Sequence, residues 1–331
     1  MTDRTKTFLR VAVTWLLTLA VAAVVAWAVD LRALGRALRH ADWRYLAAAL
    51  AVTAVGNLLV GPDRWRFILR QVGCPIRLRT ATLIKIGGAP VKFALPMKAG
   101  ELFRALYLNR QFGYNLERCV SSVLMEKVAT LLAAGLFLLA GLALGGVARW
   151  RWQALGVTVA LLALVMSRGG QRVVGRALGR MSERLGRGFA NLTSALGDLS
   201  AGRKAAVVAY SLVFVVTEMA IAFLSFRALG MAVPPAAFCV FIPISVLASI
   251  PTFSGIGTRE AAAAWFFSAA GPFGVAYGTA ETRVAAALLV TAIYYLFVPV
   301  VGLPFLNTFL HRSIWRRNTE TADARDADNA A

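Results

Sequence analysis

The sequence is poor in the residues that build most catalytic and metal sites. Its 331 residues include two histidines, His40 and His311, and three cysteines, Cys74, Cys119 and Cys239. The histidines lie far apart, and the cysteines show none of the paired spacings typical of zinc ligands or of a disulfide framework. The sequence therefore predicts no metal site, no His-based catalytic triad and no cofactor, and we do not expect an enzyme.

Charged residues of either sign are also scarce. They make up 16% of the chain, whereas a soluble domain carries roughly a quarter. Apolar residues reach 59%, and the mean hydropathy is +0.66. Apolar runs of about twenty residues recur along the chain, which is the length that crosses a bilayer as a helix. The composition predicts an all-α polytopic membrane protein.

Acidic residues are the rarer charge, with 16 Asp and Glu against 36 Lys and Arg and a formal net charge of +20. The arginines flank apolar segments, so the excess indicates the positive-inside bias of membrane loops rather than a nucleic-acid partner. This bias places the N-terminus, the 63–80 loop, the 168–203 linker and the C-terminal tail in the cytoplasm. The arginine-rich 31–44 loop does not fit, so either it forms a surface helix or the orientation is reversed.

Six segments are long and apolar enough to span a cell inner (cytoplasmic) membrane. The first is interpreted as an uncleaved helix rather than a signal peptide because its apolar run is too long. Residues 168–203 repeat arginine every four positions and predict a basic amphipathic helix on the membrane surface. One transmembrane domain over 1–310 and a disordered tail over 311–331 follow from this pattern. The six predicted spans are Phe8–Val29, Trp43–Gly61, Cys119–Gly146, Trp152–Ser167, Lys204–Ala228 and Thr282–Leu306.

The segment Lys85–Arg104, KIGGAPVKFALPMKAGELFR, lies where another span belongs but holds five charges. At about 3 kcal/mol per central charge, lipid exposure costs roughly 15 kcal/mol, while its large apolar residues return only about 3 kcal/mol. Glycines and prolines also interrupt any continuous helix. Broken backbone at membrane depth survives only inside protein or beside a water-filled cavity. The segment therefore predicts a re-entrant hairpin or a broken helix.

The pattern recurs 155 residues later. Pro96, Gly100 and Arg104 match Pro251, Gly255 and Arg259, and the same offset carries Glu126 onto Glu281. We predict two repeats, about 45–146 and 200–306, each with a hairpin, alongside about six full spans. Loop charge makes the two hairpins enter from opposite sides, so the repeats are predicted to be inverted. This architecture places a transport site at the repeat interface.

Each predicted hairpin contains a half-helix that begins beside glycine, at Gly100 in the first and at Gly255 and Gly257 in the second. Free N–H groups and the positive end of the helix dipole favour an anion at such a terminus. Arg104 and Arg259, one turn further on, can offer bidentate contacts to phosphate. The remaining predicted substrate-binding residues are the charged neighbours Lys85, Lys92, Lys98, Glu101, Glu126, Lys127, Glu260, Glu281 and Arg283.

Two interpretations of the acids stay open. They either neutralise buried cations, as in Glu101–Arg104 or Glu281–Arg283 pairs, or one or two of them carry protons or gate a headgroup. Glu218, isolated in an apolar span, is a separate candidate proton site or a satisfied buried acid. The tyrosine pair 294–295 is interpreted as packing or interface residues.

Three motifs resemble the lysylphosphatidylglycerol synthase transmembrane-region family of flippase-like membrane proteins. They are LPMKAGELFR at Leu95–Arg104, VLMEK at Val123–Lys127 and IPTFSGIGTRE at Ile250–Glu260. The likeness extends from the first helix to about Leu310. The chain departs from the family pattern where Lys127 replaces an Arg and Thr130 stands in place of an Asp.

The resemblance implies a lipid-translocating domain without the aminoacyl-transfer domain that some relatives carry. We expect a flippase-like transporter that moves an anionic headgroup, of a phospholipid or a polyprenyl-phosphate-linked lipid, through a polar cavity between the hairpins. A lipid-phosphate transferase is disfavoured because the chain lacks an Asp-rich motif. The alternative is a non-catalytic partner subunit of a lipid-modifying or glycosyl-transfer enzyme. Partners other than anionic lipids, a second copy or a membrane enzyme, stay open.

Overall fold

The structure is a computed structural model that describes residues 41–94, 100–144, 200–248 and 258–314, together with residues 39, 152, 156, 176 and 180. The predicted first span, the fourth span, the basic linker and the tail from residue 315 lie wholly or almost wholly outside this part of the chain. In the described ranges every regular element is helical. The helices are α1 (Trp43–Val55), α2 (Gly61–Gln71), α3 (Leu78–Ala94), α4 (Leu102–Phe112), α5 (Leu116–Ala143), α6 (Ala201–Ala228), α7 (Pro235–Ala248), α8 (Thr258–Phe266), α9 (Ala280–Val290) and α10 (Phe297–Ile314).

In the described part of the chain, four helical runs are long and apolar enough to cross a membrane. A side-chain oxygen caps the start of each of the four, as where Asn115 accepts from the Glu117 N–H at 2.8 Å. Four of the six predicted spans are thereby found, and the chain is an all-α, multi-pass membrane protein. The runs are Trp43–Gln71, Leu116–Ala143, Gly202–Ala228 and Ala280–Ser313.

The second predicted span continues further than its apolar run. A π-helical segment, Gly56–Val60, joins α1 to α2, so the helix ends at Gln71 and not at Gly61. Pro62 lies just after this π-helical segment and does not end the helix. The prediction that 63–80 is a loop is therefore wrong for residues 63–71, which form the polar end of this span.

The last span also runs longer than predicted, because α10 ends at Ile314 after the π-helical segment Thr291–Leu296. Arg312 anchors its end: its carbonyl accepts from the Gln111 amide at 3.0 Å, and its guanidinium donates to Tyr107 at 3.2 Å. The boundary at 311 is therefore corrected, since residues 311–314 are helical and dock on α4.

The two predicted hairpins correspond to pairs of shorter helices, α3 with α4 and α7 with α8. The predicted interruption at Gly87, Gly88 and Pro90 is wrong, because α3 runs through all three residues from Leu78 to Ala94. Adding 155 to the bounds of α4 gives 257–267, against Thr258–Phe266 for α8. The same shift carries α3 to 233–249, against Pro235–Ala248 for α7. Helix positions thus follow the offset found in the sequence motifs.

The first spans of the two repeats run antiparallel. Near one end, the Asp42 N–H donates to the Ala228 carbonyl at 2.8 Å. Near the other end, the Phe67 ring stacks on Tyr210 with centroids 5.3 Å apart. Residue numbers rise along α1–α2 while they fall along α6. Since these spans are equivalent by the 155-residue shift, their antiparallel pairing is the relation that inverted repeats require.

Each hairpin packs against the last span of the other repeat: α3 lies on α10, and α7 lies on α5. Glycine permits both close approaches. Gly302 of α10 lies against the Ile86 backbone, and a Cβ on Gly141 of α5 would come within 2.8 Å of Val240 of α7. One apolar core lies between α2, α3, α4, α5 and the end of α10, and another lies between α6, α7, α8 and α9. The charged residues of the first hairpin therefore lie between helices of both repeats.

Candidate functional site

Glu126, in the middle of α5, is the centre of a buried ion cluster. Its carboxylate accepts from Arg64 Nη2 and from Lys85 Nζ, each at 2.8 Å, and lies 3.1 Å from Arg104 Nη1. Arg64, Arg104 and Glu126 are at most 5% exposed. Three helices, α2, α3 and α4, thus each bring one cation to a single acid.

Glu101, which precedes the first turn of α4, forms the second centre. It lies 3.1 Å from Arg104, 3.2 Å from Lys92 and 2.6 Å from Lys127. Arg104 therefore links the two acids. Lys92 and Lys127 keep 43% and 38% of their side chains exposed, so this end of the cluster is open.

Backbone and aromatic contacts fix the cluster in place. Gly100 lies against the backbone of Val91 and Lys92, where no side chain fits, and this close approach sets the start of α4 beside the end of α3. The Arg104 guanidinium lies 4.9 Å from the centroid of the Trp65 ring. Such cation–π contacts stabilise a desolvated guanidinium.

The cluster has an excess of positive charge. Among the described residues, the cluster consists of five cations and two carboxylates. The cations are Arg64, Lys85, Lys92, Arg104 and Lys127, and the carboxylates are Glu101 and Glu126. Three positive charges are therefore not matched by an acid within this group. Arg64 Nε is buried and has no hydrogen-bond partner among the described residues. An anion placed here would meet guanidinium and ammonium donors together with the N-terminus of α4.

A cavity lies in the second repeat, between α6, α7, α8, α9 and the π-helical segment Thr291–Leu296. Its interior is small, about 20 Å³, which is room for about one water molecule. Arg259 lines it, as do Glu218 and Tyr294, and the Tyr294 hydroxyl donates to the Glu218 carboxylate. Glu260, next to Arg259, is buried and accepts from the Thr291 hydroxyl at 2.9 Å. The second repeat thus places its arginine and one acid at the wall of a mainly apolar cavity.

A comparison with protein families matches residues 9–302 to the family model described as Lysylphosphatidylglycerol synthase TM region. The match covers most of the chain and both repeats. The chain belongs to the lysylphosphatidylglycerol synthase transmembrane-region family. The resemblance carried by the three sequence motifs is thereby confirmed. A comparison with curated proteins finds no match.

Glu281 and Arg283, two further members of the predicted site in this lysylphosphatidylglycerol synthase transmembrane-region protein, belong neither to the ion cluster nor to the cavity lining. Glu281 is exposed in the first turn of α9. Arg283 is buried and donates to the carbonyls of Gly278, at 3.0 Å, and Phe267, at 3.4 Å, where it holds the turn before α9. Lys98, Gly255 and Gly257, also predicted for the site, lie outside the described residues.

The positions at which the chain departs from the family pattern both belong to the cluster. Lys127 pairs with Glu101, and the Thr130 hydroxyl accepts from Arg64 Nη1 at 3.0 Å. Sequence reasoning missed Arg64 and Trp65, because Arg64 was counted among the loop arginines. The spacing of Trp65 with Ile68 and Leu69, all buried, is the helical signal that would have found them.

The pairing of the acids is now clear for the first repeat. Glu101 and Glu126 are both held by cations, as one interpretation of the sequence expected, and Glu101 pairs with Arg104 as predicted. The main partners of Glu126, Arg64 and Lys85, come from other helices. In the described part of the chain, no group of three or more His, Cys, Asp and Glu side chains has an arrangement that could hold a metal ion.

Proposed function

We propose that this protein moves lipids with anionic headgroups between the leaflets of the cytoplasmic membrane, without catalysing a covalent reaction. The observation that carries the proposal is the excess of three positive charges in the cluster of the first repeat. Charged side chains inside a membrane protein are costly and commonly mark a substrate path. Membership in a family related to lipid handling supports the same conclusion.

The headgroup would pass between the hairpins while the acyl or isoprenoid tails stay in lipid. Arg104 lies near the start of α4 and contacts both acids, so a phosphate that binds there competes with Glu101 and Glu126 for the guanidinium. In the other repeat, Arg259 faces the cavity that also holds Glu218. Inverted repeats of this kind commonly place the substrate at their interface, and one arginine from each repeat would then serve each leaflet.

The test is leaflet exchange of fluorescent anionic and zwitterionic lipids in proteoliposomes. We expect wild-type protein to exchange the anionic lipids and both Arg104→Ala and Arg259→Ala to lose most of that exchange. Arg110→Ala is the matched control, because Arg110 is exposed at the end of the same helix as Arg104. Size-exclusion chromatography and thermal unfolding would first establish that each variant folds.

Two outcomes would count against the proposal. Exchange that survives both hairpin substitutions would place the path elsewhere. An absence of exchange for every lipid, polyprenyl phosphates included, would overturn translocation and favour the alternative function of a non-catalytic partner subunit for a lipid-modifying enzyme.

A further inference from the structure

We infer that the cluster of the first repeat selects headgroups with at least two negative charges, namely phosphate monoesters or diphosphates, over singly charged phosphodiesters. The inference rests on the proposed function and names the substrate class for the same site. It follows from three properties of the cluster: its charge balance, its unused donors and the identity of residue 130.

The charge balance comes first. Both carboxylates are already committed, since Glu126 has three cations within 3.1 Å and Glu101 has three within 3.2 Å. The remaining charge of three exceeds what a phosphodiester, with one negative charge, can neutralise. A phosphate monoester carries about −1.5 to −2 at pH 7. Because buried charge is stable only when it is paired, the more highly charged headgroup compensates the cluster better.

The unused donors point the same way. Arg64 Nε is buried without a hydrogen-bond partner among the described residues, although the other two nitrogens of this guanidinium are bonded. At the open end, Lys92 and Lys127 share the single carboxylate of Glu101 and keep a large exposed fraction. A phosphate monoester presents three terminal oxygens as strong acceptors, one more than a diester. The donor set therefore suits the monoester.

The identity of residue 130 affects the net charge of the cluster. The Thr130 hydroxyl accepts from Arg64 Nη1 at 3.0 Å, so an aspartate at this position would place a carboxylate against the same guanidinium. The substitution would lower the excess charge from three to two. Thr130→Asp therefore tests charge selectivity, and Thr130→Asn is its matched control because asparagine has nearly the same shape without the charge.

The experiment compares two fluorescent lipids with identical tails in proteoliposomes at pH 7.5, phosphatidic acid as the monoester and phosphatidylglycerol as the diester. We expect wild-type protein to favour the monoester at least about tenfold, which is the size of one added charge-assisted hydrogen bond. Thr130→Asn should keep that preference, and Thr130→Asp, which leaves an excess of two charges instead of three, should reduce it.

A second readout separates the headgroup from the lipid. In detergent, methyl phosphate should raise the unfolding temperature of the wild-type protein more than dimethyl phosphate at equal concentration, and Thr130→Asp should reduce the difference. Stabilisation by methyl phosphate without lipid exchange would mean that the site takes a free phosphate monoester.

The outcomes separate the inference from the proposed function. Equal exchange of both lipids, or faster exchange of phosphatidylglycerol, would overturn charge selection and leave translocation standing. If neither lipid exchanges and neither soluble phosphate stabilises the protein, both fail. If Thr130→Asn and Thr130→Asp lose the preference equally, the hydroxyl and not the charge of the cluster sets selectivity, which also overturns the inference.

Discussion

Glu126 is the shared acid of three cations from three different helices. It faces Arg64, Lys85 and Arg104 within 3.1 Å, and it is 2% exposed. Glu126→Gln would leave three neighbouring cations without their shared acid. Because removal of one side of a buried ion pair typically costs about 3–5 kcal/mol, we expect a loss of that order in the free energy of unfolding, measured by denaturation in detergent.

The control for this substitution is Glu117→Gln on the same helix. Glu117 is exposed in the first turn of α5, where a carboxylate contributes about 0.3–1 kcal/mol through the helix dipole. An equal effect of the two substitutions would contradict the central position of Glu126 in the cluster.

Glu218 and Tyr294 form the second residue-scale feature, a carboxylate and a hydroxyl that share a hydrogen bond at a cavity wall. If Glu218 carries a proton during transport, Glu218→Gln should make lipid exchange insensitive to an imposed pH gradient while exchange without a gradient persists. Tyr294→Phe keeps the acid and should retain the response. A gradient response that is unchanged in Glu218→Gln would rule out Glu218 as the proton site.

At the scale of elements, the close contact between α3 and α4 depends on Gly100. A Cβ at this position would overlap the Val91 carbonyl and the Lys92 backbone, so Gly100→Ala must push the two helices apart. Overpacking of this kind typically costs about 1–3 kcal/mol, and the shift would also move Glu101 away from Lys92. We expect a lower unfolding temperature and reduced lipid exchange.

Gly202→Ala is the matched control for this change. Gly202 is exposed near the start of α6, and a Cβ there would meet nothing within 4 Å. Alanine favours the helix over glycine by roughly 0.5–1 kcal/mol, so this variant should unfold at the same or a slightly higher temperature. If Gly100→Ala behaves in the same way, the hairpin is looser than the structure shows.

The pairs of short helices could be predicted from sequence because the charges of one short segment exclude a lipid-exposed span. The helix α2 could not be predicted, because its polar composition is typical of a loop. The reason for that composition is that its Arg64 belongs to the buried ion cluster. Arg64 looks like a membrane-flanking arginine, but it is 2% exposed and bonded to Glu126. Only the packing of α2 against α5 and α6 shows that this polar face is buried.

The equivalence of Glu126 and Glu281 shows a second limit of sequence reasoning. The two acids share the 155-residue offset, but α5 is continuous from Leu116 whereas the matching helix begins only at Ala280. Glu126 therefore lies well inside its helix, and Glu281 lies at the exposed start of α9. A constant offset between two sequence repeats does not determine where each helix begins. The turn before α9, for example, depends on the hydrogen bonds of Arg283.

At the scale of the whole molecule, the antiparallel first spans of the two repeats have a consequence for topology. If the repeats are inverted, the starts of α5 and α9, which follow the two hairpins, lie on opposite sides of the membrane. The positive-inside scheme places the start of α5 in the cytoplasm and the start of α9 outside. Glu117 and Glu281 mark these positions, and both are exposed in the first turn of their helices.

Thiol labelling of single-cysteine variants tests this arrangement. In a chain whose three native cysteines are replaced by alanine, we expect a membrane-impermeant maleimide added to intact cells to label Glu281→Cys and to spare Glu117→Cys until the membrane is permeabilised. The opposite pattern would keep the inverted repeats and reverse the orientation, as the arginines of the 31–44 loop would then require. Labelling of both variants from one side would contradict inversion itself, because the helices that follow the two hairpins would then begin in the same compartment.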